Sequence, residues 1–241
     1  MTALLEAEHL TKSYGAVRVV DDLSVSLAAG EALGVVGPNG AGKTTLLNLL
    51  TGTVRPEEGR VVFAGADLSS LPPHERCRAG IGRTYQIPRP FEGMTVFENV
   101  LVGATYGRGE PERASYETCA AALERAGLLG QANKLAETLN LLDRKRLELA
   151  RALATAPQVL LLDEIAGGLT DKEVQALIVT IKDLRAEGLS IIWIEHIVHA
   201  LLAVVDRLLA IDFGRQIMEG DPVTVINSPE VRDVYLGSVP A

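Results

Sequence analysis

The most specific chemistry in the chain sits in the contiguous run Gly37-Pro38-Asn39-Gly40-Ala41-Gly42-Lys43-Thr44, which fits G-x-x-x-x-G-K-[ST]. Glycines let the backbone curl so that successive N–H groups point into one concavity, and a helix starting there adds its positive end. Such a cradle suits a polyphosphate. Lys43 supplies a mobile cation for the outer phosphates, and the Thr44 hydroxyl suits Mg²⁺ ligation. The bland alternative is an ordinary glycine-rich turn with a chance lysine. The flanks argue against it: apolar residues 32–36 read as a buried strand before the loop, and residues 45–50 as a helix after it.

A second set lies downstream. Residues 159–162 are apolar and run into Asp163-Glu164. Beside a phosphate loop, the first carboxylate suits Mg²⁺ through its water shell, and the second suits an attacking water that must be oriented or deprotonated. An apolar strand ending in two acids is a weak signal alone and a strong one in this company. Residues 191–194, followed by Glu195-His196, repeat the layout, and open α/β sheets bind ligands at such strand ends. His196 there suits contact with a γ-phosphate or with the water-polarising glutamate; a helix-capping histidine is the plainer reading. His199 sits a turn further on and ranks below it, and His9 and His74 lack such a setting. Tyr14 is either a base-stacking platform or a packing residue. Gln86, on its own, is a polar loop residue.

The elements that must position these groups follow from pattern. Residues 4–9 and 23–27 alternate as strands, with Tyr14-Gly15 in the connecting loop. Strands are expected over 60–64 and 81–85, with a short helix between them. From 88 to 155 no strand is convincing: helices are expected over 95–104, 110–126 and 143–155, with a polar, flexible break at 103–111. Strand–helix alternation then resumes, with helices over 172–187 and 196–205. Two short helices split by Ser228-Pro229 are expected in the tail. This is an α/β pattern with a mainly parallel sheet, interrupted by a helical insert.

The chain has 241 residues, ample for a sizeable core, and 47% of them are apolar, which excludes disorder. A formal net charge of −8 with no Lys/Arg cluster disfavours a nucleic-acid partner. Cys77 and Cys119 are lone thiols, expected in a reducing compartment without a cysteine metal site. The first residues lack the basic and apolar regions of a signal peptide. No apolar run approaches ~20 residues, so no membrane span is expected.

Taken in order, these pieces make the chain similar to an ABC-transporter ATPase subunit, over essentially all of its length. The resemblance implies a P-loop NTPase core with a mixed sheet, an antiparallel N-terminal β region and an inserted α-helical subdomain. Residues 1–87 and 156–241 would form the nucleotide-binding core, and 88–155 the helical subdomain with the signature segment. It implies ATP and Mg²⁺ as cofactors. Tyr14 matches the adenine-stacking aromatic. Gly37, Pro38, Asn39, Gly40, Ala41, Gly42, Lys43 and Thr44 match Walker A, with Thr45 beside them at the nucleotide. Gln86 matches the Q-loop, which in the family links the metal site to the transmembrane partner. Thr44, Gln86 and Asp163 thereby form the implied metal set. Asp163 and Glu164 match Walker B and the catalytic glutamate, and His196 the switch histidine. The implied catalytic group is Glu164, His196 and Lys43.

The resemblance also implies partners: transmembrane permease subunits and a second ATPase subunit, with ATP sandwiched head to tail. The implied location is peripheral, at the cytoplasmic face of the inner or plasma membrane, without direct contact with the transported solute. Residues 81–86 and 144–152, and Glu195-His196 onwards, look most like ATP-binding subunits of branched-chain amino-acid importers. The tail Val234-Tyr235-Leu236-Gly237 is shared with lipid and lipopolysaccharide exporters. Two departures stand out. Leu139-Asn140-Leu141-Leu142-Asp143 replaces the usual L-S-G-G-Q, so a leucine stands where glycine allows close backbone approach. Ile165 follows Glu164 where proline is usual, and Thr170 holds the usual aspartate position of the next loop. A degenerate signature favours one half of an asymmetric heterodimer; a homodimer would carry two compromised sites, and a regulatory subunit that binds ATP with little hydrolysis is the alternative.

Overall fold

The computed structural model describes residues 3–236; Met1, Thr2 and Gly237 of the tail motif lie outside them. In chain order the elements are β1 (Ala3–Tyr14), β2 (Val17–Ala28), β3 (Ala32–Val36), α1 (Lys43–Leu50), β4 (Glu58–Phe63), β5 (Ala66–Asp67), α2 (Pro73–Ala79), β6 (Ile81–Arg83), α3 (Val96–Val102), α4 (Tyr116–Arg125), α5 (Leu141–Leu153), β7 (Val159–Asp163), α6 (Asp171–Ala186), β8 (Ser190–Ile194), α7 (Val198–Leu202), β9 (Arg207–Asp212), β10 (Arg215–Gly220), α8 (Pro222–Asn227) and α9 (Pro229–Leu236). They fall into two compact units: residues up to 73 together with those from 190, and residues 74–189. The expected insert, 88–155, lies wholly inside the second.

The first unit holds an antiparallel sheet in the order β2-β1-β4-β5. β1 and β2 are longer than the alternation suggested, and they meet across Gly15-Ala16, so Tyr14 ends a strand instead of lying in a loop. The same unit runs β10-β9-β3-β8, with β3 parallel to both β8 and β9, and β10 antiparallel to β9. Every residue of β3 and of β8 is buried. That explains why both read as unbroken apolar runs without alternation. Trp193, in β8, is fully buried, and its indole N–H has no hydrogen-bond partner among the described residues. Arg207 joins β9 to the turn before β3 through Glu31 at 2.8 Å and also contacts Glu219.

The second unit pairs β6 with β7 in parallel and packs α3, α4 and α5 against one another. Leu147, Leu149, Ala150 and Leu153 of α5 are buried. The break expected at 103–111 differs. α3 continues into a π-helical turn, Gly103–Gly107. A Cβ on Gly103 would stand 2.6 Å from the Arg151 carbonyl oxygen, so this glycine serves close approach to α5 and not flexibility. α5 begins at Leu141, two residues before the expected start, because Asn140 caps it. No helix among the described residues is long and apolar enough to cross a membrane.

Candidate active site

In the first unit, residues 37–42 leave the C-terminal end of β3 and feed α1. Gly42 caps that helix at φ +100°, and a Cβ there would meet the Val19 carbonyl oxygen at 2.5 Å. Both the backbone angle and the lack of room therefore demand glycine. Lys43 is 7% exposed, and its Nζ donates to the Gly37 and Pro38 carbonyls at 2.7 and 2.9 Å. The ammonium is thus curled over its own loop. Thr44 is exposed and Thr45 half-buried at the start of α1.

β8 is hydrogen-bonded to β3 in parallel, with Ile194 opposite Val35. Glu195-His196 therefore leave the same end of the sheet as the glycine-rich loop. Glu195 is fully buried, and its Oε2 accepts from the backbone N–H groups of His196 and Ile197 at 3.0 and 3.3 Å. This capture of two donors is why the following helix starts only at Val198, not at His196. His196 is exposed, with Nδ1 3.6 Å from Glu195 Oε2. The buried Glu195 was not foreseen as a structural partner for His196; the polar pair at an apolar strand end was its only signal. Tyr14 is half-exposed, with the Lys12 ammonium 5.8 Å from its ring centre. His199 is exposed on α7.

In the second unit, β6 and β7 are parallel neighbours, so Gln86 and the pair Asp163-Glu164 emerge from one edge. Gln86 Nε2 donates to Glu164 Oε2 at 2.6 Å. Arg83 donates to Asp163 Oδ2 at 2.8 Å, and both side chains are about nine-tenths or more buried. Asp163 Oδ1 is buried and has no hydrogen-bond partner among the described residues. Arg83 lies within the 81–86 stretch that ends at Gln86. Its partner lies 80 residues away in sequence, and no local spacing signals that. Glu164 holds φ +46°, a left-handed conformation that residues with a side chain seldom adopt. Ile165, at the usual proline position, is buried.

The signature segment also lies in this unit. The Asn140 Oδ1 accepts from the Asp143 N–H at 2.8 Å, so its carbonyl end caps α5. Leu141 and Leu142 are ordinary helical residues of the first turn, and a Cβ on Gly168 would stand 3.3 Å from Leu141 Cδ2. The leucines have not forced an unusual backbone path. Thr170 forms a capping box with Glu173 at the head of α6. The hydroxyl at the usual aspartate position is thereby committed to its own helix.

Comparison with known proteins agrees with this layout. The ABC transporter family profile matches residues 20–167. The chain is 38% identical to the lipopolysaccharide export system ATP-binding protein LptB of Acidithiobacillus ferridurans, over 98% of each. It is 36% identical to the high-affinity branched-chain amino acid transport ATP-binding protein LivG of Salmonella typhimurium, over 97% of this chain and 98% of that one. A solved ATP-binding cassette of an ABC transporter in its ADP conformation matches with a TM-score of 0.90 at 30% identity, over 99% of this chain and 100% of that one. With a glycine-rich phosphate loop, a paired-carboxylate strand end and relatives that match nearly the whole sequence, the chain belongs to the ABC transporter family, as one of its ATP-hydrolysing cassettes.

Proposed function

We propose that this cassette hydrolyses ATP at residues 37–45 to drive a membrane transporter of branched-chain or related amino acids. The observation that carries the hydrolytic reading is the Glu164 carboxylate held at 2.6 Å by the Gln86 amide at a strand end. Glu164 takes the proton of the attacking water, the new P–O bond forms at the γ-phosphorus, and the bond to the bridging oxygen breaks to release ADP. Lys43 turns from its loop carbonyls towards the outer phosphates, and His196 meets the γ-phosphate. Tyr14 stacks on the adenine.

A magnesium ion fits this chain's donors. Asp163 Oδ1 is a buried acceptor without a donor, and Mg²⁺ is commonly held by one or two carboxylates plus substrate phosphates. Asp163 and Gln86 would hold it, and it would neutralise charge on the phosphates. Tyr85, Ile87 and Phe91 stand exposed around Gln86, which supports a permease subunit docking on that loop. The degenerate signature, Leu139 to Asp143, supports a sibling cassette with an intact one. This chain's own loop would then meet the good signature. Residues 1–87 and 156–241 would form the nucleotide-binding core and 88–155 the helical subdomain with the signature segment, the whole peripheral at the cytoplasmic face of the membrane.

The amino-acid reading is supported by the LivG relative and by residues 81–86. A second reading, export of a lipid or lipopolysaccharide, is favoured by alignment length. The LivG match spans 251 positions, more than the chain's own 241 residues, whereas the LptB match spans 238. The test is to purify the chain with its native membrane partners, reconstitute the complex in liposomes and supply ATP. ATP-dependent movement of labelled leucine, abolished by Glu164→Gln, is expected. Extraction of lipopolysaccharide without leucine movement selects the second reading.

A further inference from the structure

Lys145 is a charged residue where packing alone would place an apolar one. It lies on α5 and is 4% exposed, just ahead of the buried Leu147 and Leu149. Burying an ammonium is costly unless good partners compensate. Its Nζ lies 3.2 Å from the Gln86 carbonyl oxygen and 3.4 Å from the Glu164 carbonyl oxygen. These are the backbones of the two residues whose side chains meet at 2.6 Å. Glu164 is also the residue at φ +46°, a conformation that persists only where its surroundings over-determine it.

We propose that Lys145 is a positioning residue for hydrolysis. By gripping the carbonyls of Gln86 and Glu164 together, it holds the strained backbone that aims the Glu164 carboxylate. The same contact makes that aim depend on α5. The first turn of α5 is the signature segment, capped by Asn140, so displacement of the segment that meets a partner's nucleotide is transmitted directly to Lys145, two residues beyond Asp143. This rests on the reading of Glu164 as the group that activates water. Lys145 contacts carbonyls rather than the reacting atoms and acts through Glu164.

The test is steady-state and single-turnover ATPase of the full chain, as purified with its partners, comparing wild type with Lys145→Met, Lys145→Arg, Glu164→Gln and the double variant Lys145→Met/Glu164→Gln. Lys145→Met is expected to lose about 10- to 100-fold in kcat, with KM for Mg-ATP changed by less than about twofold. Lys145→Arg recovers most of that loss. The double variant is expected to be no slower than Glu164→Gln alone, since residues acting as one unit are non-additive. Wild-type kcat in a folded Lys145→Met overturns the proposal, as does a double variant whose losses multiply. If Lys145→Met does not fold, Lys145→Gln takes its place under the same criteria. Full activity in Glu164→Gln sinks the reading of Glu164 itself. An inactive Glu164→Gln beside a fully active Lys145→Met sinks only the role of Lys145.

Discussion

In the unit that carries residues 37–44, the exposed work is done by backbone. Lys43 is met by two carbonyls of its own loop, and the cradle is shaped by glycine. In the other unit the work is done by side chains. Asp163 pairs with Arg83, Glu164 with Gln86, and Lys145 reaches both loops from a helix. Peptide dipoles positioned by adjacent residues incur little desolvation and are short-range in sequence. Buried side-chain charges must be drawn from distant segments and satisfied on arrival. The phosphate half should therefore be sensitive to added atoms, and the hydrolytic half to deleted charges.

The largest expected effect attacks the second unit. Arg83→Met leaves the Asp163 carboxylate buried with neither oxygen paired, and should destabilise by about 3–5 kcal/mol. Denaturant unfolding measures it. A loss below ~1 kcal/mol would mean that the pair is screened, and that the contrast between the units is overstated.

Next comes the first unit. Gly42→Ala combines a left-handed backbone with a 2.5 Å clash at the Val19 carbonyl, a cost of at least ~1–3 kcal/mol. Loss of nucleotide binding in a fluorescence titration is expected. Gly40→Ala is the sharper control, because Gly40 also has positive φ but nothing within 4 Å. If the two variants behave alike, backbone strain and not close approach shapes the cradle.

The smallest effect compares two carboxylates with opposite shifts. Burial pushes Glu31 up, but the Arg207 guanidinium and the Ala28 N–H outweigh it and hold its carboxyl below 4.5. Burial pushes Glu148 above 4.5 despite Arg151. A lowered pKa contributes stability above 4.5 that disappears as pH falls through the folded value. A raised one costs stability as pH rises from 4.5 to the folded value. On acidification wild type should therefore lose ground to Glu31→Gln and gain on Glu148→Gln, by on the order of a few degrees in Tm. Equal slopes would remove the distinction.

The same contrast explains what could be read in advance. The phosphate loop is contiguous and its flanks are apolar runs, so motif and strand–helix context were legible together. The fully buried β3, β7 and β8 were legible for the same reason. Arg83 and Lys145 were not, because their partners are set by strand pairing and helix packing across long sequence separations. The starts of α5 and α7 were misplaced because a side chain took first-turn N–H groups. Asn140 did so for α5, and Glu195 delayed α7. The turn at Gly103–Gly107 read as a loop because a glycine selected for proximity looks, in sequence, like one selected for freedom.

Trp193 is the single tryptophan of the chain, shielded in the strand that pairs with the one feeding the phosphate loop. Its emission should be blue-shifted while the sheet is intact and should move to the red on unfolding. Because no other indole contributes, nucleotide binding or the loss of β8 can be followed optically in the unmodified protein, without a label and without a second reporter to subtract.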